Sequence, residues 1–296
     1  MSGRLRASNP DVIFNIVVYG FACIILVIVA YPMWFILIAS FSDPSSVSMG
    51  QVWLWPKNPT LLGYREMLNR SNIWVSYRNT IAYVAAGTAV GLVVNLPAGY
   101  VLSRKDLVGR KFLTLVFIFT MFFNGGLIPT YLNIQGFGLL NTFTVMVVPF
   151  SVVTYYIIVA RTFFSSSLPD GLWEAAQIDG CGNLRFFFTM VLPLSKAVIA
   201  VIVLWTAVGH WNAYFNALIY LRDESRFPLQ LVLRSILIIN QELTNSGFDE
   251  AARLARKTAD LIRYGSIIVS TLPIMCLYPF VQKYFNQGIM IGAIKE

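Results

Sequence analysis

Charged residues are missing from five long stretches of this chain, and that pattern restricts its fold more than any other feature. The uncharged intervals run 12–42, 79–103, 112–160, 197–221 and 264–282. Water would not tolerate them on a surface. The chain is 57% hydrophobic and 12% charged, where soluble domains average about 25% charged. A bilayer removes the conflict. One helix crosses the hydrocarbon layer with about 20 mostly apolar residues, so four intervals hold one helix each. The 112–160 interval holds two, divided by the Gly-, Asn- and Pro-containing run from Asn124-Gly125-Gly126 to Asn141. The expected fold class is all-α, a polytopic membrane protein. Its six transmembrane helices fall at about 12–40, 74–102, 111–133, 141–163, 197–221 and 258–283. The third breaks near Gly125-Gly126.

Residues 1–11 then form a short basic lead, 12–285 the helical domain and 286–296 a tail. The apolar core Val12–Ala39 is far longer than the ~7–15-residue apolar region of a cleavable signal, so it reads as a permanent anchor. Short loops set the orientation. Arg104, Lys105, Arg110 and Lys111 cluster between helices two and three, Arg4 and Arg6 precede helix one, and Gln135–Leu140 carries no charge. Both termini and the polar interval 165–195 are therefore expected on the cytoplasmic side. Residues 222–257 form a highly charged outer loop that contains an apolar patch, Phe227–Ile239. In the other large outer loop, Tyr64–Leu68 suits a short surface helix. Gly87 and Gly91, four apart on helix two, offer a smooth face for packing inside the bundle.

Several chemistries are missing from the sequence. No Gly is followed by Lys, so there is no P-loop for nucleotide phosphates. One histidine, three scattered cysteines (Cys23, Cys181, Cys276) and no acidic cluster argue against a metal site or disulfides. No serine has the G-x-S-x-G setting of a nucleophile. The uncharged intervals hold no acidic or basic relay of the kind ion-driven transporters place in their spans. The driving force must come from elsewhere.

Within 165–195, Glu174-Ala175-Ala176-Gln177-Ile178-Asp179-Gly180 reads as a short helix with a built-in stop. Asp170 and Glu174 favour its positive end, Ser166 or Ser167 can cap it with Pro169 in its first turn, and Gly180 suits a left-handed closing residue. This stretch, with Leu192-Pro193, resembles the EAA loop of bacterial ABC-transporter permeases. The six-helix layout resembles the smaller carbohydrate permease subunit of type I ABC importers, the maltose-importer class. Trp211–Leu221, Phe227–Arg234, Leu272-Pro273-Ile274, Tyr278–Phe285 and Gly288–Ala293 are similar to that family's other signatures. Departures are Cys181 in a position usually held by alanine, the absence of a proline just beyond Leu194, and Glu296 at the end where glycine is more usual.

The resemblance implies a multi-subunit machine. A second, homologous permease subunit completes a heterodimer, and two copies of a cytoplasmic ATP-binding subunit dock beneath. An extracytoplasmic solute-binding protein delivers an oligosaccharide, and the assembly sits in the bacterial cytoplasmic (inner) membrane. The chain itself binds no cofactor and is not an enzyme; ATP and Mg belong to the partner subunits. Glu174, Ala175, Ala176, Ile178, Asp179 and Gly180 would couple to the ATPase, with Gly288, Gly292 and Lys295 of the tail as further contacts. Arg222, Arg226 and Arg234 would face the binding protein. Nucleic acid is not an expected partner, because the cations are dispersed.

Asn95, Asn124, His210, Asn212, Tyr214 and Asn216 are the candidate path residues, since they offer hydrogen bonds or stacking surfaces inside or beside the spans. Interhelical packing is their competing role. The expected cargo is an acidic, uronic-acid or alginate-like oligosaccharide, with a neutral oligosaccharide as the alternative. A stand-alone secondary transporter is the rival from another class, and the uncharged spans disfavour it.

Overall fold

A computed structural model describes residues 9–245, 262–277 and 279. Among these every regular element is helical, and they fall into two compact units. The first contains described residues 9–69, 236–245 and 262–269, and the second 70–235, 270–277 and 279.

In the first unit, α1 (Asn9–Ser40) is exposed along its apolar length from Ile13 to Trp34 and becomes buried only at Ile38, Ala39 and Ser40. An apolar helical stretch with no polar face, left uncovered by the described residues, belongs in lipid or against another subunit. After it come α2 (Pro44–Ser48) and α3 (Leu62–Leu68). The expected Tyr64–Leu68 helix is α3. Tyr64 donates to Ser40 Oγ at 2.8 Å and stacks against Phe41, which ties α3 to the end of α1.

The second unit is organised on α4 (Ser71–Ser103). Its buried positions, among them Ile73, Ser76, Thr80, Tyr83, Gly87, Gly91, Asn95 and Gly99, recur every three or four residues and make one stripe of small and polar side chains. Against this stripe pack α7 (Phe143–Ser151), α8 (Thr154–Ser167) and α12 (Lys196–Trp211). The glycines set the distance. A Cβ on Gly87 would stand 2.2 Å from His210 Nε2. At Gly91 it would meet the Ser151 carbonyl and the Thr206 methyl, both at 3.1 Å. Gly87→Ala should therefore lower thermal stability by about 1–3 kcal/mol through overpacking. Because the obstructing group is a side chain, adding His210→Ala should recover most of the loss in a detergent melting experiment.

Three expected spans are broken rather than straight. α5 (Arg110–Phe122) and α6 (Leu127–Gly136) meet at 111°, at the expected Gly125-Gly126 break. The helix read at 141–163 is instead α7 and α8, bent by 44° with Val152 and Val153 extended. Pro149 lacks the N–H that would bond one turn back. Asn95 takes over at the gap, donating Nδ2 to Ser151 O at 2.9 Å and accepting Val153 N–H on Oδ1 at 3.2 Å. The helix read at 197–221 ends as α12 at Trp211 and resumes as α13 (Tyr214–Tyr220). There the Val208 carbonyl accepts both the Asn212 backbone N–H at 3.1 Å and Asn212 Nδ2 at 3.0 Å, in the last turn before the break.

The expected outer loop 222–257 is partly helical. It holds α14 (Leu229–Asn245), which buries Leu229, Leu231, Val232, Leu233 and Ile236. These buried residues belong to the apolar patch expected at Phe227–Ile239. Of the helix expected at 258–283, the described part is α15 (Ile262–Leu277).

Candidate coupling site

The interval between α8 and α12 folds as α9 (Asp170–Ile178), α10 (Asn183–Phe186), a π-helical turn Phe187–Val191 and α11 (Leu192–Leu194). α9 ends as its sequence requires. Gly180 has φ +70°, Gly180 N–H bonds Gln177 O at 3.0 Å and Cys181 N–H bonds Ala176 O at 2.8 Å. These two bonds are the Schellman closure, in which a left-handed glycine satisfies the last carbonyls. The start differs from expectation. Pro169 is the capping residue and supplies no side-chain bond, while Ser166 Oγ donates back to Phe163 O.

The faces of α9 have separate jobs. Ala176 is 5% exposed and packs with Phe164, Phe186 and Phe187, and half-buried Trp173 meets Phe186 edge-on at 5.0 Å. Glu174, Ala175, Ile178, Asp179 and Gly180 are exposed, Ile178 at 87%. Ala176, expected among the coupling residues, thus packs inside its own chain. Its small size lets α9 lie against the aromatic cluster. Leu184 on α10 is a second exposed apolar residue of this interval.

A guanidinium fastens this helix to the rest of the unit. Arg104, just after α4, lies over the Trp173 ring at 4.0 Å and holds Asp106 with Nε–Oδ1 and Nη2–Oδ2 contacts of 3.0 and 2.9 Å. Its side chain is only 15% exposed. The hydrogen bonds from Arg104, more than its charge, hold the Asp106 carboxyl below the usual carboxylate range, so it is ionised at neutral pH. Lys105 pairs with Asp170 at the first turn of α9, an exposed contact worth at most about 1 kcal/mol. Between the 103–110 segment and α9 lies a cavity of about 500 Å³, lined among others by Arg104, Lys105, Arg110, Trp173, Glu174 and Gln177. In the sequence Arg104 marks only the orientation of the loop, and no local pattern shows which tryptophan it meets.

At the opposite end of α4, a polar clasp holds the segment 222–229. Asn79 Nδ2 donates to Ser225 O, Tyr83 Oη to Arg226 O at 2.8 Å, and Leu229 N–H to Thr80 Oγ1 at 2.8 Å. Asn141, in a left-handed conformation at φ +56°, accepts from the backbone N–H of Arg222 and of Asp223, both at 3.0 Å. Its own carbonyl receives Arg226 Nη1. Arg222 is exposed, Arg226 pairs with Asp223 at 3.6 Å, and Arg234 lies over Tyr214 at 5.2 Å. Hydrogen bonds from Ser225 keep the Asp223 carboxyl below its usual range.

The candidate path residues divide. Asn95 is fully buried in the break described above, and His210 is buried with Nε2 3.1 Å from Ser151 Oγ, so both serve packing between helices. Asn124 is exposed at the α5–α6 break, where its Oδ1 accepts Gly126 N–H. Asn212 and Tyr214 are exposed and Asn216 is half-buried, all near the α12–α13 break. Gly288, Gly292 and Lys295 lie outside the described residues.

Residues 97–241 match the family described as binding-protein-dependent transport system inner membrane component. The chain is also 34% identical over 283 residues to the polygalacturonan/rhamnogalacturonan transport system permease protein YtcP of Bacillus subtilis strain 168, covering 96% of this chain and 98% of that one. The chain belongs to this permease family. The permease is similar as well to LplC of the same organism, at 36% identity over 89% of this chain and 88% of that one. A chain in the crystal structure of a bacterial ABC transporter involved in import of the acidic polysaccharide alginate superimposes with a TM-score of 0.85 at 32% identity. That match covers 95% of the permease and 99% of the alginate-transporter chain. The fold is thus that of an ABC importer permease, and a permease of this kind works with an ATPase and a solute-binding protein.

Proposed function

We propose that this permease is one half of the translocation path of an importer for acidic oligosaccharides, and that α9 is its seat on a cytoplasmic ATPase subunit. The observation that carries the coupling role is α9 itself. One face is locked into the aromatic cluster by Ala176 and Trp173, and the other offers Glu174, Ala175, Ile178 and Asp179 to a partner. A rigid knob with an exposed apolar tip and two carboxylates can transmit displacement, because its base cannot slide. Both termini are then cytoplasmic, and the clasped segment 222–229 faces the binding protein outside. A second, different permease subunit completes the path, and ATP and Mg are bound by the partners alone.

The similarity to permeases named for polygalacturonan and to a chain from an alginate importer supports a uronic-acid cargo. A neutral oligosaccharide is the second reading, and one feature favours it. Arg226 is engaged by Asp223 and by the Asn141 carbonyl, which leaves less free positive charge to attract an anion. The test is to purify the tagged permease from its native membrane with its companions, then measure ATP hydrolysis with binding protein and either oligogalacturonate or a neutral oligosaccharide. Co-purification of an ATPase and stimulation by the uronate are expected. Stimulation by the neutral sugar alone would replace the cargo, and transport without any ATPase would end the coupling assignment.

A further inference from the structure

Two broken spans of the second unit meet at one level. Thr120, one turn before the α5–α6 break, has its Oγ1 3.3 Å from Oγ1 of Thr154, the first residue after the α7–α8 break. The level lies deep between the charged ends. Asn95, which bridges the α7–α8 break, precedes Arg104 at the end of the same helix by a rise of about 14 Å. From Lys111 to Phe122 at the other break the rise is about 17 Å. A hydrocarbon layer is about 30 Å thick, so both breaks fall near its middle.

Lipid does not tolerate irregular backbone at that depth, which occurs only where protein or a water-filled cavity covers it. Yet Val152, Phe123, Gly125 and Gly126 are exposed here. In secondary transporters, interrupted helices near the midplane hold the cargo, and the same physical reasoning applies to a break exposed at this depth. Beside the gap stands an aromatic wall. Trp205 contacts both Tyr155 and Tyr156 at centroid distances of 5.5 Å with the rings tilted by 35° and 32°, and the two tyrosines meet edge-on at 6.2 Å. Tyr155 leaves 47% of its surface open. Flat rings next to two hydroxyls and open backbone suit a pyranose, whose C–H face stacks while its hydroxyl edge exchanges hydrogen bonds.

We propose that the paired breaks, Thr120, Thr154 and the Tyr155–Trp205–Tyr156 wall form a site for one pyranose ring of the transported oligosaccharide. The proposal rests on the importer function argued above. Asn124 belongs to this site by position; Asn95 supports it from behind. None of these side chains is cationic, so the site reads the ring and not its carboxylate, and discrimination between uronate and neutral sugars lies with other parts of the assembly.

The test uses the complete importer with its binding protein in proteoliposomes, with labelled oligogalacturonate and a labelled neutral oligosaccharide as probes. Tyr155→Ala should lower uptake roughly tenfold, the size of one good contact, while binding-protein-stimulated ATP hydrolysis stays within about twofold of the parent. Tyr155→Phe, which keeps the stacking face, should transport normally, and Thr154→Val should give an intermediate loss. Wild-type uptake in Tyr155→Ala would overturn the site while leaving the importer function intact. Loss of the second permease from the purified Tyr155→Ala assembly would also overturn it, by making this surface a subunit contact. If the parent importer moves neither probe, the functional reading fails, and this site with it.

Discussion

Arg104→Ala is expected to insert and assemble normally but to lose more than about tenfold in binding-protein-stimulated ATP hydrolysis. The reason is where the guanidinium stands. It caps the end of α4, the helix on which the second unit is built, and it lies over the Trp173 ring of α9 while gripping Asp106. A partly desolvated cation over an indole is worth about 2 kcal/mol, and hydrogen bonds to charged groups contribute about 1.5–3 kcal/mol each. A tenfold change needs only about 1.4 kcal/mol. Half of that interaction, spent on holding α9 at a fixed angle, is therefore enough. Arg104→Lys retains charge but lacks the planar fork and stacking face, so it should fall between alanine and the parent. Arg104 acts here through Trp173 of α9, which makes it a positioning residue. Basal hydrolysis by the assembly should accordingly stay near the parent value while the stimulated fraction disappears. Equal loss of both activities, or parent-like stimulation in Arg104→Ala, would contradict the assignment.

The second large effect concerns stability. Gly99→Val should sharply reduce the folded yield of the permease and lower its melting temperature in detergent. A Cβ at this position would sit 2.6 Å from Ala160 Cβ and 3.0 Å from both Arg161 N and Ile157 O. No rotamer change relieves these contacts, because they are backbone atoms and a Cβ of α8; the two helices must separate. Overpacking of this kind costs typically 1–3 kcal/mol and occasionally more, and valine adds branches that alanine lacks. Gly20→Val on α1 is the matched control. Its Cβ meets nothing within 4 Å, and the melting temperature should be unchanged. A Gly99→Val protein as stable as the Gly20→Val control would mean that the α4–α8 approach is looser than described.

Much of this was legible in the residues themselves. The uncharged intervals marked where apolar helices would lie, and Gly180 announced the left-handed closure it makes. Gly87 and Gly91 marked a close-packing face, now seen against α12 and α7. What escaped was the continuity of the spans. Val152 and Val153 read as ordinary helix interior, and only the carbonyl and amide held by Asn95, distant in sequence, show why the ladder stops there. Asn95 itself read as a path candidate because a polar side chain in a span signals either role. Ala176 was misplaced for a similar reason: in a short helix neighbouring alanines look alike, and only the tertiary cluster distinguishes the inward one from the outward one. Arg104 and Trp173 carry no joint signature, because their pairing depends on how two loops fold back on each other.

The bracing of the α7–α8 gap by Asn95 also bears on how such a machine can move. The carbonyl and amide that face each other across the gap already have a satisfied neighbour, so winding that stretch into regular helix would release nothing, and unwinding it further would forfeit what it has. The kink is permanent scaffolding rather than a moving part. Alternation between inside and outside would then carry α7 and α8 together as one bent rod.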